Sequence, residues 1–134
     1  MITAIIVATI GWFITAMVLF FNPLVGKIYA SEENHPAVKQ LPKNASTMGT
    51  IALAVLIQCI LWAIVYVWVK DALPASAVTR TFLFGTVLFL TKMIPRDIDR
   101  LLLTTYPRKR MFIEFAIGAV CCYIPAFSYV YFIH

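Results

Sequence analysis

Apolar residues run almost unbroken through four stretches of this chain, and the polar residues fall between those stretches rather than among them. No charged residue or histidine lies between Met1 and Lys27, between Lys43 and Lys70, or between Glu114 and His134. About 20 apolar residues in a helix cross a hydrocarbon layer about 30 Å thick. The pattern therefore predicts transmembrane helices over residues 2–21, 47–69, 75–95 and 111–132. The third is the least regular, because its charge-free core, residues 81–91, is bounded by Arg80 and Lys92. Those eleven residues rise only about 16 Å. The two cations must reach back to the headgroups along their own alkyl stems or face the bundle interior.

Boundary residues sharpen the elements. Asn22-Pro23 ends the first span, since proline disfavours helix in the residue before it. The apolar start of the first loop, residues 23–30, is expected to lie along the membrane interface. Ser46 or Thr47 is the expected N-cap of the second span. Trp62, Tyr66 and Trp68, with Tyr123, Tyr129 and Tyr131, sit toward one end of their spans, as aromatic side chains at the headgroup level do.

Between the third and fourth spans the period changes. Over residues 94–106, Ile94, Ile98, Leu101, Leu102 and Tyr106 share one helical face, and Arg96, Asp97, Asp99 and Arg100 share the other. Pro95 falls in the first turn and Pro107 ends the run. This predicts a helix lying in the interface, with Arg96–Asp99 and Asp97–Arg100 as pairs three residues apart. The fold class that follows is an all-α membrane protein. It has one domain, four transmembrane helices and an amphipathic interfacial segment between helices three and four.

Composition agrees with this. The chain is 62% hydrophobic and 13% charged, whereas soluble domains carry about 25% charged residues. Its net charge of +5 is not a nucleic-acid signature, because the cations track the loops. Lys27, Lys39, Lys43, Lys92, Arg96, Arg100, Arg108, Lys109 and Arg110 fall on one side, and Lys70 and Arg80 on the other. Basic loops face the cytoplasm. Loops 22–46 and 96–110 are thus expected to be cytoplasmic and both termini outside, in a bacterial inner membrane.

The segment 92–114 holds most of the candidate chemistry. Lys92 and Glu114 lie at similar depth on antiparallel spans, so either a structural ion pair or a cation-handling carboxylate at a cavity is expected there. Gln58, midway along the second span, is a candidate interhelical hydrogen bonder. Arg80 is expected to pair with Asp71 or with the terminal carboxylate of His134. Arg96, Asp97, Asp99, Arg100, Arg108, Lys109 and Arg110 form a candidate surface for anionic lipid or a partner protein, with Arg108–Arg110 also anchoring the topology. Gly11, Gly49, Gly85 and Gly118 are expected to permit close helix contact.

Other chemistries are disfavoured. Cys59, Cys121 and Cys122 form no C-x-x-C pair and read as apolar packing residues. His35 and His134 lie at opposite ends of the topology and match no metal-ligand spacing. No catalytic residue, cofactor or metal is assigned, and no G-x-S-x-G, H-E-x-x-H or phosphate loop occurs.

The stretch from Phe21 through Pro23, Leu24, Gly26 and Lys27 to Tyr29 resembles a motif that follows the first span in a domain-of-unknown-function family of small bacterial four-helix membrane proteins. The basic stretch before the last span is similar too. The chain departs from the family where Phe20-Phe21-Asn22 stands in place of Trp-Tyr. The resemblance implies the four-helix architecture and no activity. The expected function is that of a non-enzymatic accessory subunit or scaffold that contacts a partner protein or anionic lipid, as a homo-oligomer or within a larger membrane complex. The alternative is a small oligomeric transporter or channel using Lys92 and Glu114.

Overall fold

The computed structural model describes residues 1–42 and 44–133, and every regular element among them is a helix. Five helices follow in order: α1 (Ile2–Phe20), α2 (Pro23–Ser31), α3 (Ala45–Val69), α4 (Ala77–Leu103) and α5 (Arg108–Phe132). A short 3-10 turn, Lys70–Ala72, finishes α3. α1, α3 (with its 3-10 turn), α4 and α5 are each long and apolar enough to cross a membrane, and their character fits an integral membrane protein.

Local chemistry sets the helix ends. Asn22 accepts a hydrogen bond from the Leu24 amide at 2.9 Å, and Pro23 takes the first position of α2, where its missing N–H costs nothing. Asn44, rather than Ser46 or Thr47, caps α3 by accepting from the Thr47 amide at 2.9 Å. Ser76 caps α4. At the other end of α4, the Thr104 hydroxyl donates to the Arg100 carbonyl at 2.7 Å.

The segment 94–106 is not a separate helix. α4 continues through Pro95 to Leu103, and only residues 104–107 separate it from α5. One lost backbone hydrogen bond at Pro95 is outweighed by packing of this end of α4 against α5. Met93 lies over Gly118, and the Phe89 and Phe115 rings meet edge to face at 5.2 Å.

α5 is the central helix, packed on α1, α4 and α3 and touched by α2. Its interior face is built of small and aromatic residues. Ala4, Ala8, Cys59, Ala63, Cys121, Cys122 and Ala126 are buried beside Tyr66, Phe84 and Tyr129. Without a hydrophobic driving force between helices in lipid, small residues serve by letting backbones approach. Three of the four expected glycines do this. A Cβ at Gly11 would meet Ile124, one at Gly85 would run into the Tyr123 ring, and one at Gly118 would run into the Met93 side chain, whereas Gly49 faces open space.

The aromatic belt is narrower than the sequence suggests. Trp68 is 79% exposed, but Tyr66 and Tyr129 are fully buried. Tyr129 donates to the Cys59 carbonyl at 2.7 Å, fastening α5 to α3. Trp62 stacks on Trp12 of α1 with centroids 5.1 Å apart.

Gly85→Ala is expected to destabilise the protein by about 1–3 kcal/mol, because a rigid ring must move. Gly118→Ala should cost less, since the flexible end of Met93 can turn aside. Gly49→Ala should be neutral or stabilising by up to about 1 kcal/mol through helix propensity. Thermal unfolding of the purified variants in one detergent checks the order.

Candidate functional site

Two polar centres stand out among the described residues, each built on a charged residue of a long apolar helix. The first is Glu114, one turn and a half into α5. Its Oε1 accepts from the Tyr29 hydroxyl of α2 at 2.9 Å and from the Tyr106 hydroxyl of the 104–107 turn at 2.5 Å. Its Oε2 accepts from Arg100 Nη1 of α4 at 2.5 Å. Arg110 approaches Oε1 at 3.5 Å as an ion pair rather than an aligned hydrogen bond. The two guanidinium groups also lie over the two tyrosine rings. Arg110 is 3.9 Å from the Tyr29 centroid and Arg100 is 4.6 Å from that of Tyr106. One carboxylate thus joins α2, α4, α5 and the turn between them.

Both phenols hold their protons strongly. Burial, then the nearby Glu114 carboxylate, pushes Tyr29 well above the usual phenol range. Burial, then the hydrogen bond to Glu114, pushes Tyr106 up to about 12. A phenolate beside a carboxylate is unfavourable, so the two hydroxyls act as fixed donors.

The second centre is Lys92 on α4. Its Nζ donates to Gln58 Oε1 of α3 at 2.8 Å and lies 3.9 Å from the Trp12 ring centroid and 4.9 Å from that of Trp62. Lys92 and Glu114 therefore do not form the ion pair expected of them; helix α4 turns its ammonium toward α1 and α3, while Glu114 faces α2 and the end of α4. Both nonetheless line one cavity of about 150 Å³ between α1, α4 and α5. Gln58, the candidate interhelical hydrogen bonder, has Lys92 of α4 as its partner. A charge at a helix centre costs about 3 kcal/mol on insertion scales. A charged hydrogen bond at about 1.5–3 kcal/mol and desolvated ring contacts at up to about 2 kcal/mol are of the size to offset it.

The remaining candidates divide. Asp97 is buried, not solvated: Arg96 Nε and Nη2 donate to its two oxygens at 2.8 and 3.1 Å. The Arg96–Asp99 pair is replaced by this adjacent one, because Asp97 faces inward against α5 and draws the guanidinium with it. The Asp97–Arg100 pair forms, at 3.9 Å. Asp99, Arg108 and Lys109 are exposed. Arg80 does not reach Asp71 but donates to the Pro74 carbonyl at 2.9 Å; Lys43 and His134 lie outside the described residues. His35 Nδ1 accepts from the Ala37 amide, a local turn.

Beside these centres an apolar groove of about 310 Å³ runs between the end of α4 and the start of α5. Ile94, Ile98, Leu101, Met111, Phe112 and Phe115 form its walls, with Asp97 and Arg108 also on its lining.

Sequence reasoning missed Tyr29, Tyr106, Trp12 and Trp62. The first was visible only as part of the 21–29 motif, whose asparagine cap and proline start α2 and so aim Tyr29 at Glu114. Trp62 reads in the sequence as a headgroup-level aromatic, and Trp12, alone in an apolar span, carries no signal.

Glu114→Gln is expected to cost about 3 kcal/mol, the size seen when one partner of a buried charge network is removed, and to speed tryptic cleavage at Lys27 and Lys39 as α2 loosens. Thermal unfolding and timed proteolysis measure these. The raised phenol pKa values predict an alkaline limit. Unfolded tyrosine loses its proton near pH 10 and folded Tyr106 near 12, so the folded state holds more protons in between and stability falls as pH rises through that window. Replacing Tyr29 and Tyr106 together by Phe should flatten the decline in a pH series of melting curves.

No protein-family model, curated protein or solved structure matches the chain. Its role is therefore read from the chemistry of its own residues.

Proposed function

We propose that the protein is a small, non-enzymatic integral-membrane accessory subunit or scaffold of a bacterial inner membrane, held in place by an anionic phospholipid bound at the α4–α5 junction. One observation carries this reading. Arg108 borders a groove of about 310 Å³ whose walls are otherwise almost wholly apolar, and exposed Lys109 follows it. A groove of that composition accepts an acyl chain, and exposed cations at the membrane edge attract anionic headgroups by about 1 kcal/mol each. Asp97 on the groove wall does not oppose this, because Arg96 takes both of its oxygens.

The orientation follows from charge. Arg96, Arg100, Arg108, Lys109 and Arg110 gather at the α4–α5 end, with Lys27 and Lys39 between α1 and α3. This end is read as cytoplasmic, and both termini as outside. The exposed run Leu101–Leu103, 52 to 79% accessible, then lies where a partner subunit or the lipid interface would cover it.

A second reading, a small oligomeric transporter or channel, draws support from the cavity that Lys92 and Glu114 both line. The donors that hold Glu114 weigh against it, since a carboxylate so fully engaged is a poor site for exchanging ions.

Mass spectrometry of the protein released from mixed nanodiscs tests the lipid reading. Phosphatidylglycerol is expected to be retained over phosphatidylcholine. Arg108→Gln with Lys109→Gln should weaken that preference by about 1 kcal/mol per cation, and Arg80→Gln should not. Equal retention of the two lipids by the unmodified protein would defeat it.

A further inference from the structure

Each half-buried arginine nearby has a carboxylate beside it: Arg96 has Asp97, and Arg100 and Arg110 share Glu114. Lys92 differs. Among the described residues its contacts are the Gln58 amide and the faces of Trp12 and Trp62. An amide dipole and two ring quadrupoles attract an ammonium without cancelling its charge. Half-buried Lys92 therefore has no acidic partner among the described residues, between apolar helices where an ionisable group ordinarily has one. Glu114 does not supply it, because its oxygens are turned to Tyr29, Tyr106, Arg100 and Arg110.

The cavity of about 150 Å³ lies on this charge; its apolar walls include Trp12, Ala16, Phe20, Met93 and Ile117, and Arg96 and Glu114, each engaged by its own partners, also line it. We propose that it binds a small monovalent carboxylate, with the carboxylate on Lys92 and a short alkyl chain against those apolar walls. Size and charge select this class. The volume equals about five waters of liquid, enough for a chain of three or four carbons. Only one of the three Lys92 N–H donors is taken, by Gln58, which leaves donors for an anion. A dianion would need a second uncompensated cation, and Arg96 is engaged by Asp97 through two hydrogen bonds. A halide would leave the apolar walls unfilled, and a cation would be repelled. This inference does not depend on the groove at the α4–α5 junction, and its test uses neutral lipid so that the two stand or fall apart.

The test is a tryptophan fluorescence titration of the full chain in phosphatidylcholine nanodiscs, in a Trp68→Phe background so that Trp12 and Trp62 give the signal. Butyrate is expected to produce a saturable change and butyramide none. Lys92→Gln should weaken butyrate at least about tenfold, or about 1.4 kcal/mol. Two further variants leave Lys92 in place. Gln58→Glu provides a carboxylate within the protein and should displace butyrate while raising the melting temperature. Ala16→Leu should fill the cavity and abolish the response. The proposal is overturned if butyrate gives no saturable change at tens of millimolar, if butyramide acts equally, or if Gln58→Glu and Ala16→Leu both bind butyrate as before.

Discussion

A carboxylate placed inside a helix bundle must find donors, and Glu114 finds them on every element around it. Tyr29 comes from α2, Tyr106 from the turn, Arg100 from α4 and Arg110 from its own helix. Much of the architecture at this end depends on that one group. It keeps α2 folded back on α5, sets the direction in which the chain leaves α4, and orients the arginines that then stack on the tyrosine rings. The arginines more than offset the carboxylate's charge and the phenols satisfy its lone pairs, so Glu114 is both charge-compensated and hydrogen-bonded. Breaking either half leaves the other exposed to a low dielectric, which is why such networks behave as units.

Lys92 solves the same problem differently. It is stabilised by polarisable surfaces and one amide, across helices α1, α3 and α4. The Trp12–Trp62 stack serves two purposes at once, joining α1 to α3 and presenting π faces to the ammonium. The two centres are close enough to share a cavity yet are electrostatically distinct: one is saturated by acid–base pairing and the other keeps its charge. That contrast separates a structural fastening from a place where a ligand has something to do.

Around both centres the helices fit by small residues. Where α4 crosses α5, glycine at 85 and 118 admits the Tyr123 ring and the Met93 side chain. This approach keeps the end of α4 aligned with α5 past Pro95, so the cationic residues at 96, 100, 108 and 110 share one small region. The groove beside them, apolar within and cationic at Arg108, is a consequence of the same crossing.

The presence of four long apolar helices and the clustering of cations in the segments between them were legible in the chain alone, because hydrocarbon excludes charge and that exclusion is written directly into the order of residues. Lys92 and Glu114 stood out in the same way, each being a charge in an otherwise apolar stretch. Their partners were not legible. Which way a side chain points depends on helix rotation, and rotation is set by packing of all the helices together. Sequence depth suggested that Lys92 and Glu114 would meet; tertiary structure turned them to different neighbours. The interfacial helix expected over 94–106 failed for a related reason. Proline and a change of period are local signals, and contacts with α5 that no local pattern records carried α4 straight through them.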